Sequence, residues 1–357
     1  IRTIRMTPRI RRIAPVNVTI HHDLGHPDAP VRAALVAASI GGQAEQALLG
    51  HTDFHHRADT LAAYSHDEDE AQLIILCDEV AFLHVFLPRR DNVHTVHVQA
   101  TVLPGRDPLP LLDALYPAFQ DLCRQERRTA VTWWEYSRQE EPTLTAATDS
   151  GAVEATPVTD WLQERGFVLD QVEVTNTLQL PVTVGEGDVD KRYELVTWAG
   201  DTPEHLLDGM AHLRARMTTD APNGSREAEE AAWDAARIRR EEEVTRSARR
   251  TRLWAVALGP TGEPVGYTML ESPDGQPEVA HQMDTLVRCE DRGHGLGLAL
   301  KRANLTHLQE LRPQARRLHT WNAGENRWML DNNRTLGFTP TSALGVWQRT
   351  LTAAAQP

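Results

Sequence analysis

Short segments from the first half of this chain come back, in the same order, in the second half. Asp78-Glu79-Val80-Ala81-Phe82 resembles Glu263-Pro264-Val265-Gly266-Tyr267, and Val102-Leu103-Pro104 falls where Val287-Arg288-Cys289 does. Thr132-Trp133 matches Thr320-Trp321, and Arg165-Gly166-Phe167 matches Leu336-Gly337-Phe338. The displacement stays close to half the chain. Self-similarity that preserves order marks a duplicated structural unit rather than two unrelated domains. A chain of 357 residues is also long enough for two hydrophobic cores. The expected division is a domain over residues 1–181, a linker over 182–192 that is rich in Gly and acidic residues, and a second domain over 193–357.

Each copy carries the same succession of patterns. Helical material opens it, over 29–49 in the first copy and over 203–217 and 227–250 in the second; the last of these is dense in Ala, Glu and Arg, which favour helix. Strands follow at 72–77 and 80–87, and at 253–258 and 265–271 across the turn Gly259-Pro260-Thr261-Gly262. A third strand (94–102 or 282–287) leads into a helix (109–127 or 296–311), then a strand (130–135 or 317–321). A last helix ends at Gly166 or Gly337, where glycine suits a C-cap, and a closing strand ends each copy (172–180 and 346–351). Alternating strands and helices predict an α/β (α+β) protein: two tandem domains, each a mixed central sheet flanked by helices.

Composition narrows the function classes. A formal net charge of -13 opposes non-specific binding to nucleic-acid phosphates, so no nucleic-acid partner is expected. No apolar run has the length of a membrane helix, and the Arg-rich residues 1–15 lack the apolar stretch of a secretory signal. Cys77, Cys123 and Cys289 are odd in number and far apart, which suits a reducing compartment. The expectation is a cytoplasmic protein, monomer or homodimer, with no membrane partner and no metal.

The sharpest local feature is Arg292-Gly293-His294-Gly295-Leu296-Gly297, between the strand ending at Val287 and a helix. Glycines at a strand-to-helix turn let backbone N–H groups approach an anion, and a helix N-terminus adds partial positive charge. Arg292 can add a charge-assisted contact. Three readings compete: a turn without ligand, a dinucleotide loop, and an acyl-CoA loop. Counted from Gly293, a dinucleotide loop wants Gly or Ala where Leu298 stands, and no Gly-Lys-Ser/Thr follows for a P-loop.

Arg292-x-x-Gly295-x-Gly297 after an apolar strand resembles the pyrophosphate-binding motif of the GNAT acyltransferases. The resemblance continues through Asn326, Met329 and Leu336-Gly337-Phe338, and through Asp284-Thr285-Leu286-Val287 and Thr320-Trp321-Asn322-Ala323, which are similar to tandem-repeat members of that superfamily. It covers about residues 265–351; the first copy is drawn in through the repeat. It implies an acyl-CoA-dependent N-acyltransferase, acetyl-CoA or another acyl-CoA being the donor and a small-molecule amine the acceptor. The alternatives are an acyltransferase fed by an acyl-carrier protein or a long-chain donor, and a non-catalytic acyl-CoA-binding protein. The resemblance further implies that the backbone of Leu286 and Val287 pairs with the pantetheine arm. Arg292 and the backbone of Gly293, His294, Gly295, Leu296, Gly297 and Leu298 hold the pyrophosphate, and Asn326 holds the pantetheine or acyl carbonyl.

At the thiolate acid the chain departs from the family. Where many relatives have Tyr, four residues before the Gly of Gly-Phe, it has Asn333, which can hydrogen-bond but cannot donate a proton as an acid. The candidate bases are His281, whose ordinary titration range is suitable, and Asp284, which needs a raised pKa or a bridging water. Three residues apart, they face opposite sides of a regular strand, so only a bulge lets both enter one cleft. Asp220 and Arg237 are candidate acceptor contacts. In the first copy Pro108 and Pro110 remove donors and Asp107 repels an anion, so no CoA is expected there.

Overall fold

The computed structural model describes residues 17–138, 140–185, 190–220 and 231–351, with 218–220 as backbone alone. The first half contributes strands β1 (Val18–His21), β2 (Glu70–Cys77), β3 (Ala81–Pro88), β4 (Thr95–Val102), β5 (Ala130–Ser137) and β6 (Val168–Gln179). The second half contributes β7 (Glu194–Ala199), β8 (Arg250–Leu258), β9 (Pro264–Pro273), β10 (Val279–Val287), β11 (Arg317–Ala323) and β12 (Thr339–Thr350). Helices α1 (Arg32–Leu49), α2 (Ala58–Tyr64), α3 (Pro108–Gln125) and α4 (Pro157–Glu164) belong to the first half, and α5 (Leu207–Asp220), α6 (Ala235–Ser247), α7 (Leu296–Leu311) and α8 (Arg327–Leu336) to the second.

All twelve strands form one sheet, in the order β1-β2-β3-β4-β5-β12-β6-β11-β10-β9-β8-β7. The sheet is mixed: β4 runs parallel to β5 and β10 to β11, while the other neighbours are antiparallel. The repeat read from sequence lands on equivalent elements. Thr132-Trp133 lies on β5 and Thr320-Trp321 on β11, and Gly166 and Gly337 both take positive φ just past the last helix of their half.

The closing strands do not stay at home. β12, from the end of the chain, pairs with β5 of the first half, and β6, from the end of the first half, pairs with β11 of the second. β6 and β12 also pair with each other along most of their length, which welds the halves into one sheet. The cores follow the strands. Trp347 and Ala343 of β12 are buried with Trp133, Phe119 and Trp161 of the first half. Leu178 and Leu180 are buried with Leu253, Leu270 and Phe338 of the second.

Helix patterns explain the layers. On α3, Leu112, Leu115, Phe119 and Leu122 recur at helical spacing and are buried against the sheet. α1 and α2 cover the opposite face of β2 and β3, through Ala34, Ala37, Ile40 and Leu61. α5 and α6 cover that face of β8 and β9 in the second half, with Met210, Leu213 and Ile238 against Trp254 and Tyr267. α7 packs on the other side, with Leu300 on Ala255 and Val265. The segment between α1 and α2 crosses between the halves: Asp53 accepts from Arg317 at 2.5 and 2.9 Å and from His319 Nε2 at 2.8 Å.

Candidate active site

β10 and β11 pair only over Val279–Gln282 and Arg317–Thr320. Beyond them β10 stays with β9 while β11 stays with β6, so the two parallel strands part and leave a wedge. The edge of β10 along Leu286 and Val287 faces that wedge. Its amide and carbonyl groups are therefore placed to pair with an extended amide-bearing ligand, as an edge strand does.

β10 is irregular at the mouth of the wedge. Thr268 pairs with Thr285 but Leu270 pairs with Gln282, so β10 holds one residue more than β9 between the same two pairs. The extra residue is a β-bulge, which re-aims the side chains beyond it. His281 lies opposite Glu271, and Asp284 reaches the hydroxyl of Tyr267, which donates to Oδ2 at 3.4 Å. Tyr267 and Glu271 are four apart on β9 and share a face, so His281 and Asp284 share that face too.

The two have different surroundings. His281 is buried, its Nε2 donates to the Asp53 carbonyl at 3.0 Å, and burial, with the Arg250 charge next, lowers its pKa to about 3. It is committed to holding the α1–α2 segment as a neutral donor. Asp284 is half-buried and paired to a hydroxyl, so it keeps access to the cleft.

The glycine-rich turn leads into α7 with its backbone donors uncapped by any side chain. Gly293 and Gly295 have φ of 85° and 72°, in the region that favours glycine, and Gly295 is the N-cap of α7. No side chain caps α7, so the first N–H groups of the helix, at Leu296, Gly297 and Leu298, are left to a ligand. Arg292 Nε donates to the Val287 carbonyl at 3.0 Å, which fixes the start of the turn to the strand end. Tyr193 Oη and Arg288 Nε donate to buried Asp291 at 3.0 and 2.8 Å. His294 lies beside Arg192, whose Nη2 is 3.3 Å from its Nδ1. Arg192 sits within the expected linker, and only tertiary packing brings its charge to the turn.

On the face of the wedge opposite Asp284, three side chains form a hydrogen-bonded chain, with Lys301 and Asn333 buried and Asn322 half-buried. Lys301 Nζ donates to Asn333 Oδ1 at 2.6 Å, and Asn333 Nδ2 donates to Asn322 Oδ1 at 2.6 Å. Burial lowers the Lys301 pKa to about 7. Asn322 lies just past the last parallel pair, on the strand that bounds the wedge. Asn326 is the N-cap of α8 and accepts from Met329 N at 3.3 Å, which leaves its amide N–H groups for a ligand.

Of the two acceptor contacts expected from sequence, Arg237 has its partners elsewhere. Arg237 pairs with Asp91 at 2.5 Å and Asp69 at 3.0 Å, and packs over Trp233, so it joins α6 to the first half. The side chain of Asp220 lies outside the described residues.

The first copy makes the contrast plain. The N-terminus of α3 is capped from within, because Asp107 accepts from Leu109 N at 3.2 Å, and proline occupies the first turn. Where α7 offers donors to an anion, α3 presents a carboxylate.

No family model matches the chain, and no curated protein matches it. Solved structures do. A tandem GNAT protein from the clavulanic acid biosynthesis pathway, solved without AcCoA, superposes with a TM-score of 0.70 at 21% identity, over 96% of this chain and 100% of that one. A GCN5-related N-acetyltransferase from Sphaerobacter thermophilus gives 0.60 at 15% identity, over 93% and 95%. A glucosamine N-acetyltransferase region of a fungal multi-domain GH3 β-N-acetylglucosaminidase gives 0.57 at 12% identity, over 94% of this chain and 38% of that one. At these identities the likeness is one of architecture, and the fold of this chain is that of the tandem GNAT proteins.

Proposed function

We propose that the chain transfers an acyl group, acetyl in the simplest case, from an acyl-CoA to the amine of a small molecule, with the donor bound in the second half. The observation that carries this reading is the uncapped α7 N-terminus with its two left-handed glycines, placed at a wedge that exposes the edge of β10. The N–H groups of Leu296, Gly297 and Leu298 hold the pyrophosphate, helped by Arg292. The edge at Leu286 and Val287 pairs with the pantetheine amides, and Asn326 contributes a side-chain amide. A thioester so held supplies an activated carbonyl.

Asp284 serves as the base that takes the amine proton as the nitrogen attacks that carbonyl. On the opposite face, an Asn333 N–H hydrogen-bonds the departing sulfur. Asn333 holds its orientation through Lys301 and Asn322, so its N–H dipole is fixed toward the negative charge developing on sulfur. Since Asn333 gives no proton, the sulfur leaves as thiolate and is protonated from solvent. A second reading, an acyl-CoA binder without turnover, draws on that same absence of an acid.

The test is calorimetric titration of acetyl-CoA into the wild type, Gly295→Glu and Gly105→Glu. Gly105 has φ of 80° and, like Gly295, open space where a Cβ would go, so it controls for backbone strain in the equivalent turn. Saturable binding to the wild type and to Gly105→Glu, lost in Gly295→Glu, is expected. Equal binding by all three, or none by a folded wild type, overturns the acetyl-CoA assignment. Binding without turnover on any screened amine favours the second reading.

A further inference from the structure

A cavity of about 770 Å³ lies away from the glycine-rich turn, walled mostly by the first half and bounded by Arg250, Glu271, His281, Met283 and Trp321 of the second. Its size is that of a small-molecule site. β4 and β5 pair in parallel only as far as Gln99 and Trp134 and then part, so the cavity passes through the sheet. Side chains from both faces therefore reach it: Trp134 and Tyr136 on the α1 side, Glu135 on the α3 side.

Most of the charged side chains on its wall have partners, and Glu173 is engaged as well. Arg138 is spent on the last carbonyls of α1, donating to Leu48 and Ala47 at 2.7 Å each. Arg250 is paired with Glu271 at 2.9 Å. Glu45 accepts from the backbone N–H groups of Phe54 and His55 at 2.8 and 2.6 Å, and lies 2.9 Å from His51. Glu135 makes no ion pair among the described residues. Burial, opposed by the Trp133 indole, pushes its carboxyl up to about 7. A carboxyl left desolvated and without a cation is the group that a bound cation satisfies. Phe86 and Trp134 lie edge to face, with centroids 5.5 Å apart, and offer ring surface to the same space. Aromatic walls beside a carboxylate that has no ion pair suit a cation with an apolar body. A nucleotide is disfavoured, because Asp107 closes the helix end that would meet its phosphates.

We propose that this cavity is a binding site for an organic ammonium ion, its charge set against the Glu135 carboxylate and its apolar body against Phe86, Trp134 and Tyr136. The site needs no acyl donor and stands whether or not the second half transfers an acyl group.

The experiment is calorimetric titration of benzyltrimethylammonium into the full chain without acyl donor; this probe has no N–H and cannot be acylated. Saturable binding at one site is expected, with benzyl alcohol, the uncharged control, about tenfold weaker or more. Glu135→Gln, which keeps the side-chain shape, is expected to weaken the cation about tenfold and leave benzyl alcohol unchanged. Trp134→Leu is an independent variant and is expected to weaken the cation by a similar factor. No saturable binding to the wild type, or affinity for benzyl alcohol equal to that for the cation, overturns the proposal. So does displacement of the cation by acetyl-CoA in Gly295→Glu, or cation affinity within twofold of wild type in the folded variants.

Discussion

Lys301 and Asn333 share a hydrogen bond of 2.6 Å inside the second half, and no carboxylate pairs with Lys301 among the described residues. An ammonium in that setting has only a carboxamide to replace its water, so its neutral form is favoured.

This relationship predicts a pH dependence of stability. The folded pKa of Lys301, about 7, lies below that of an unfolded lysine, about 10.4. Between those values the unfolded chain binds a proton that the folded chain does not, so folding stability rises with pH across that window. Chemical denaturation at pH 7 and pH 9 is expected to show wild type gaining on Lys301→Met by roughly 1 kcal/mol or more per pH unit. A constant difference between the two proteins contradicts the assignment.

Asp284→Asn keeps the shape of the side chain but removes the base. On the proposed mechanism it lowers kcat about 10²-fold or more, with acetyl-CoA affinity unchanged within twofold. The measurement is steady-state kinetics with whichever amine turns over best in a screen. His281→Asn is expected to lower thermal stability first, because His281 holds the Asp53 carbonyl.

The Asp53 cluster ties the halves together. Burial alone raises the Asp53 pKa, but His319 and Arg317 hold it well below the usual carboxylate range. Asp53→Asn is expected to cost about 3 kcal/mol at pH 7 by leaving Arg317 and His319 without their anion. The sign follows from a depressed folded pKa: the stabilisation is full above the unfolded value near pH 4 and fades as pH falls toward the folded one. The gap between wild type and variant, read from denaturation curves, therefore narrows from pH 5 to pH 3.

Trp347 lies near the end of the chain yet is fully buried in the core of the first half. Trp347→Ala is expected to cost about 3–5 kcal/mol and to raise amide exchange in β5, which pairs with β12. Loss of protection confined to the second half would contradict the strand order.

What sequence revealed here is what neighbouring residues encode. The turn around Gly293 and Gly295, the strand before it and the helix after it are set by local conformation, and they were legible. The repeat was legible because it preserves order. The bulge that turns Asp284 and His281 to one face was not, since an extra residue shows only when the partner strand's register is known. Lys301 reads as an ordinary lysine among the polar residues of α7 until α8 closes over it. Arg192 reads as linker until the chain folds back beside His294. β7, an edge strand with no fully buried residue, falls at the start of the expected second domain, and its pattern alone does not mark it as a strand.

Because the closing strands are traded, neither half carries a complete sheet in one continuous stretch of gene. A cut between residues 181 and 193 would separate each half from a strand it pairs with, so the halves cannot be shuffled or inherited apart without loss. Substitutions in β12 are filtered by the packing of the first half, and those near Leu178 by the packing of the second. A first half without an anion turn is thereby retained by the demands of its neighbour.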